Sequence, residues 1–291
     1  MILAQETPAL DLDRPAVGER RQRRREVRTE HVLAVATGVF EREGLAGLTL
    51  GRVARELDLV PAALYRYFES KDALVAAMQR RAVVELSAGF RRHLAEVAGP
   101  LAALAPKTRA LASVLAMGRF YEALPRTQPE AWRLVAVLLG DPQVLLPDEQ
   151  ARQVLPHVAE FLSAAEEVVA AAVQAGALDG AREGAASRTV QLWAALHGAL
   201  TLEKLARFAG PRREGVDSVA MALVTDLLRG WGADPATLGR ARRALDAHTE
   251  DEAKEAKATT PPLPPEPTGK ARTRRTKNPV PKAPGLRGAQ T

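Results

Sequence analysis

Residues 49–71, TLGRVARELDLVPAALYRYFESK, hold the pattern on which the fold turns. Leu50, Val53, Ala54 and Leu57 recur at helical spacing, which gives a short helix one apolar face and leaves Arg52, Arg55 and Glu56 on the other. Thr49 stands where a capping hydroxyl belongs. Pro61 suits the first position of a second helix, where its missing N–H is not needed and its φ is already helical. With successive residues about 100° apart, Leu64 and Phe68 then point inward while Ala62, Ala63, Tyr65 and Arg66 point outward. Two short helices across a tight turn predict a helix-turn-helix, the arrangement that lays its second helix in a major groove.

The outward face fits such a role. Ala62 and Ala63 are small enough to let the backbone approach a groove and to touch a thymine methyl. Tyr65, Arg66 and Tyr67 offer hydroxyls and a charge to base edges or phosphates at the flank. Ser70 followed by Lys71 and Asp72 predicts the start of the next helix, which puts the Lys71 ammonium and free backbone N–H groups where a phosphate would pass.

From Val32-Leu33-Ala34-Val35-Ala36 through Phe40, Gly44, Leu48-Thr49, Val53-Ala54, Leu57 and Leu64-Tyr65-Arg66-Tyr67-Phe68 to Lys71, Ala73 and Leu74, the segment resembles the DNA-binding domain of TetR-family bacterial regulators. The resemblance implies DNA contacts from Pro61, Ala62, Ala63 and Tyr65, with Thr49, Tyr67 and Lys71 on phosphates. Three positions depart from the family pattern. Asp58 replaces the turn glycine, Val60 replaces a capping Ser or Thr, and Tyr67 replaces a common His. Aspartate can enter the left-handed conformation at some cost, so the turn is expected to survive.

The rest of the chain sets this head in context. Apolar residues, many of them alanine, recur at helical rather than alternating spacing over 291 residues, which predicts an all-α protein. There is no cysteine, so disulfides and thiolate chemistry are excluded and a reducing cytoplasm is the expected setting. No basic leader and no run of apolar residues long enough for a membrane helix is present. Net charge is −3 over residues 1–19, +4 over 20–80, zero over 81–250 and +5 over 251–291. A neutral middle with basic ends suits a binder of double-stranded DNA that carries a separate non-DNA domain.

Four segments follow. Residues 1–19 lack periodicity and are expected to be disordered. Residues 20–75 form the DNA-binding domain, led by an arginine run whose Arg24, Arg25 and Arg28 read either as an arm for a narrow minor groove or as a solubilising stretch. Residues 76–249 are expected to be a helical regulatory and dimerisation domain, with helices at about 71–98, 106–124, 129–139, 147–174, 183–209, 214–229 and 235–248, each bounded by Pro or Gly. Residues 250–291 are basic and proline-rich, and are expected to be disordered.

Within the regulatory domain, Trp193, His197 and Gly198 resemble the Trp-His-Gly signature of one TetR C-terminal subfamily, which implies pairing with a second subunit. By spacing, Trp193, Leu196, His197, Leu200 and Lys204 share one helix face, and Gly198 lets another helix approach, so a packed seam that includes Trp193, His197, Gly198 and Leu200 is expected. Leu115, Phe120, Tyr121, Trp132 and Phe161 are candidates for lining a ligand pocket, although the same residues could form a filled core. The five histidines are scattered, and neither a metal motif nor a nucleophile elbow nor a phosphate loop appears, so no metal, cofactor or catalytic residue is expected. The expected protein is a homodimeric, ligand-responsive DNA-binding regulator, more often a repressor in this family. A non-specific nucleoid-type protein and a helical ligand-binding enzyme are the alternatives.

Overall fold

The computed structural model describes residues 17–140, 147–180, 184–202 and 218–259, and every regular element among them is an α-helix. The helices are α1 (Val17–Gly47), α2 (Leu50–Glu56), α3 (Pro61–Leu64), α4 (Lys71–Leu101), α5 (Pro106–Thr127), α6 (Pro129–Gly140), α7 (Asp148–Gln174), α8 (Ala185–Leu202), α9 (Val219–Gly230) and α10 (Pro235–Thr259). The chain up to Asp251 packs as one unit, and α10 runs on past it.

Most expected limits fall within a few residues of these, and the differences have local causes. The arginine run belongs to α1 rather than to an extended arm. Arg, Gln and Glu are good helix formers, nothing between Gly18 and Gly38 breaks the helix, and Gln22 bonds Glu26 one turn on. Helix α1 changes direction at Gly44, whose φ of 68° only glycine adopts at no cost. Pro125 lies inside the last turn of α5, where it forfeits a single backbone bond, and the helix continues to Thr127. Helix α10 passes His248 and ends at Thr259, because residues 249–258 are rich in Glu, Ala and Lys and the first proline after them is Pro261. The expected disorder of residues 1–16 and 260–291, Lys204, and the expected helical stretches over 203–209 and 214–217 lie outside the described residues.

Helix α5 is the centre of the larger domain. Leu111, Ala112, Val114, Leu115, Ala116, Met117, Tyr121 and Leu124 are buried on every side of it, as in a helix wrapped by others. Its neighbours are α4, α6, α7, α8 and α9. Gly118 lets α9 come close, since a Cβ there would sit 3.2 Å from the Met221 sulfur. The turn after α7 is tied to the end of α9 by the Asp179 N–H, which donates to the Trp231 carbonyl at 2.8 Å.

Helix α4 belongs to both halves of the molecule. Ser70 caps it, its hydroxyl accepting from the Ala73 N–H at 3.0 Å. Leu74, Val75 and Met78 are buried near its start, and Ala82, Val83, Leu86, Phe90 and Val97 continue the buried stripe. Between the two sets lies Gln79, only 1% exposed, with neither amide atom hydrogen-bonded. Such a group keeps the full cost of its desolvation. Gln79→Met, nearly the same shape without the amide, is expected to raise stability by about 1–2 kcal/mol. Urea denaturation measures this, and a variant less stable than the parent contradicts it.

Candidate functional site

The amino-terminal head is assembled from short-range contacts. The Thr49 hydroxyl accepts the Arg52 N–H at 3.1 Å, which starts α2, and Leu50, Val53 and Ala54 fasten that helix to the core. The turn closes through the Leu59 N–H on the Ala54 carbonyl at 2.9 Å. Asp58 supplies the left-handed step with φ 54°, the only positive φ outside glycine among the described residues. Val60 provides no side-chain cap, and α3 starts with Pro61 and the Ala63 N–H on the Val60 carbonyl at 2.9 Å. Helix α3 is one turn long. The chain then turns through Tyr65–Tyr67, and the Phe68 N–H reaches the Leu64 carbonyl at 3.0 Å, so Leu64 and Phe68 both enter the core as their spacing predicts.

Pro61, Ala62, Tyr65 and Arg66 are exposed as expected, with Tyr65 at 59%, and Ala63 and Tyr67 are half-buried. Thr49 is exposed although its hydroxyl is engaged as the cap. Lys71 also braces the fold, because its ammonium donates to the Leu45 carbonyl at 2.6 Å and ties the end of α1 to the start of α4. Arg24, Arg25 and Arg28 are exposed on α1. Sequence reasoning passed over Val60, which is 69% exposed beside Ala62 and Tyr65. The available signal was an apolar β-branched residue that fits neither helix's apolar stripe.

Arg52 is occupied by the fold. It bonds Glu43 at 2.8 Å and Glu56 at 2.5 Å, and Arg42 reaches the other Glu56 oxygen at 2.6 Å. The hydrogen bond from Arg52 holds the Glu56 carboxyl below the usual carboxylate range, and the bonds to Glu56 and Glu43 raise the guanidinium in turn. The outward surface of the head is therefore apolar and tyrosine-bearing at its centre, with Arg55 and Arg66 exposed at its margins.

Residues 32–78 match the family model of bacterial regulatory proteins of the tetR family. The head is similar to the DNA-binding domain of that family. The matched family is one of regulatory proteins, and this chain is a DNA-binding transcriptional regulator. Over 70% of its length the chain is similar in fold to a protein of unknown function from Rhodococcus sp. RHA1, with 23% identity and a TM-score of 0.54, covering 94% of that protein. It is also similar to a TetR-family transcriptional regulator from Agrobacterium tumefaciens, with 18% identity and a TM-score of 0.50 over 72% of this chain and 100% of that one. No curated protein sequence matches the chain. Among the described residues, no helix is long and apolar enough to cross a membrane, and no three His, Cys, Asp or Glu side chains gather as metal ligands.

In the body of the chain, the candidate pocket residues divide. Phe120, Tyr121 and Phe161 line a small cavity of about 30 Å³ together with Phe90, Met117 and Trp193. Trp132 stands behind it, its ring edge-on to Tyr121 at 5.7 Å. Leu115 is not on the cavity. It lines a polar cleft with Arg119, Glu122 and Met221, because about 200° of helix rotation separates it from Met117.

The expected seam on α8 is likewise turned inward. Leu200 is buried in its own subunit, and Trp193 Nε1 donates to the Tyr121 hydroxyl at 2.9 Å. Tyr121 Oη lies 3.0 Å from His197 Nδ1. If Tyr121 donates to Nδ1, only His197 Nε2–H lacks a partner; the opposite tautomer would strand two groups, so the first is assigned. Gly198 alone of the four faces outward, and a Cβ added there meets nothing within 4 Å.

Burial pushes the His197 pKa below its ordinary 6.5 and pushes the Tyr121 phenol up. A histidine with a depressed folded pKa favours unfolding when protonated, so its contribution is intact above about pH 6.5 and is lost as pH falls toward the folded value. The Tm difference between the parent and His197→Gln is expected to shrink on acidification from pH 7.5 to pH 5. Thermal unfolding at several pH values checks this; a difference that widens on acidification contradicts it.

Proposed function

We propose that the protein is a homodimeric, ligand-responsive transcriptional repressor that binds a near-palindromic operator on chromosomal DNA in the cytoplasm and catalyses no reaction. The observation that carries the DNA contacts is the exposed surface of Val60, Pro61, Ala62 and Tyr65 beside Arg66, apolar enough to require a partner and shallow enough for a major groove. Thr49, Ala63, Tyr67 and Lys71 adjoin it, and Arg24, Arg25 and Arg28 on α1 add charge for phosphates.

A second exposed apolar face supports the dimer. Val190, Ala194, Gly198 and Leu202 recur every fourth residue along the outside of α8, with Leu202 at 60% exposure, and Val219 at 67% and Leu223 add to the face on the adjoining α9. Glycine inside a helix costs about 1 kcal/mol relative to alanine and here makes room for nothing in its own subunit, which favours close approach of another helix. Two-fold symmetry would then place the two heads about 34 Å apart on one face of the duplex, or a multiple of that distance. An effector seated in the body would act by favouring a subunit geometry with another spacing.

Selection of bound genomic fragments at near-physiological salt is expected to recover one palindromic motif, and Tyr65→Ala is expected to weaken binding to it by about tenfold or more. Enrichment of no motif, with affinity lost on deleting residues 17–28, would instead indicate a non-specific DNA-coating protein. Gly198→Arg is expected to leave the monomer folded by circular dichroism and to abolish the dimer in analytical ultracentrifugation. A dimer that persists unchanged overturns the α8 interface.

A further inference from the structure

The side chains at the reading end of the head share one property. Val60, Pro61, Ala62 and Ala63 follow one another without a single side-chain hydrogen-bonding group, and Pro61 also lacks a backbone N–H. The Val60 carbonyl and the Ala63 N–H are spent on each other at 2.9 Å. Charged groups stand elsewhere. Arg52 is held by Glu43 and Glu56, and Arg55 and Arg66 are exposed before and after the stretch. Side chains of this composition cannot tell bases apart through donors and acceptors. What they can recognise is the apolar mark that the major groove carries, the C5-methyl of thymine.

Val60 is the residue best built for that contact. It is 69% exposed, lies immediately ahead of α3 on extended backbone with φ −71° and ψ 142°, and makes no side-chain cap bond. Branching at Cβ leaves it few rotamers, so two methyl groups are held in place at little further entropic cost. Ala62 carries a single methyl close to the main chain, and Ala63 is half-buried, so neither reaches as far. An exposed valine by itself means little. Here it adjoins exposed Pro61, Ala62 and Tyr65 on a head that binds DNA, with the guanidinium groups of Arg55 and Arg66 free for phosphates at the margins.

We infer that Val60 is a specificity-determining residue, which reads a thymine in each operator half-site through its C5-methyl group. The assignment deepens the proposed operator binding and rests on it. Loss of one methyl from such a contact weakens binding by about fourfold.

The test uses the full-length protein and a random-sequence duplex pool. The duplex recovered by selection is titrated by fluorescence anisotropy, with each thymidine of one half-site replaced in turn by deoxyuridine. That replacement removes the C5-methyl and keeps every hydrogen-bonding group of the base. At one position it is expected to weaken binding by about fourfold. Val60→Ala is expected to weaken binding to the unmodified duplex by a similar factor, and uracil at that position then costs the variant nothing, because both changes remove the same contact. Since Val60 is exposed and makes no side-chain bond, the circular dichroism and Tm of the variant are expected to match the parent's. Uracil tolerated at every position, or a uracil penalty of the same size in the parent and in Val60→Ala, overturns the inference and leaves sequence-selective binding standing. A pool from which no motif is recovered overturns the operator reading and this inference with it.

Discussion

One helix runs through both the head and the body of a single continuous core. Helix α4 is 31 residues long and so spans about 46 Å. Its first turns bury Leu74, Val75 and Met78 in the DNA-binding head, where Lys71 also holds the carbonyl end of α1. Its later turns present Phe90 to the cavity of the body. A helix is stiff along its axis, and close-packed cores shift between discrete arrangements rather than deform smoothly. Gln79, whose buried amide is unsatisfied, lies on this helix between Met78 and Ala82.

The exposed apolar residues divide by their surroundings. On the head, Val60 and Tyr65 lie next to Arg55 and Arg66, a mixture suited to a groove with methyl groups on its floor and phosphates on its rims. On α8 and α9, Val190, Leu202, Val219 and Leu223 form a face interrupted by small residues, suited to helices of a second copy. The small body cavity has neither character, being uncharged and lined largely by aromatic side chains.

The head was almost fully legible because its contacts are local. The cap at Thr49, the left-handed Asp58, the proline at the start of α3 and the cap at Ser70 are separated by only 21 residues, and each is dictated by the chemistry of the residue itself. Leu115 shows where that method stops. A helix buried on all sides carries no polar face to orient it, so periodicity cannot say which of its apolar residues meet a cavity and which meet α9. Trp193, His197 and Leu200 were correctly placed on one face of one helix, but the face packs against α5 of the same chain.

The sequence by itself determined which segments are helices, where most of them stop, and that residues 49–71 form a DNA-reading head, because propensity, capping and turn conformation act over a few residues. Only the tertiary structure decided that the arginine run lies on a helix projecting from α1's core-forming turns, that the polar groups of Tyr121, Trp193 and His197 satisfy one another, and which side of α8 is left bare. Those outcomes depend on contacts between residues up to 76 positions apart, and such pairings are chosen by the packing of whole helices rather than by the side chains' own preferences.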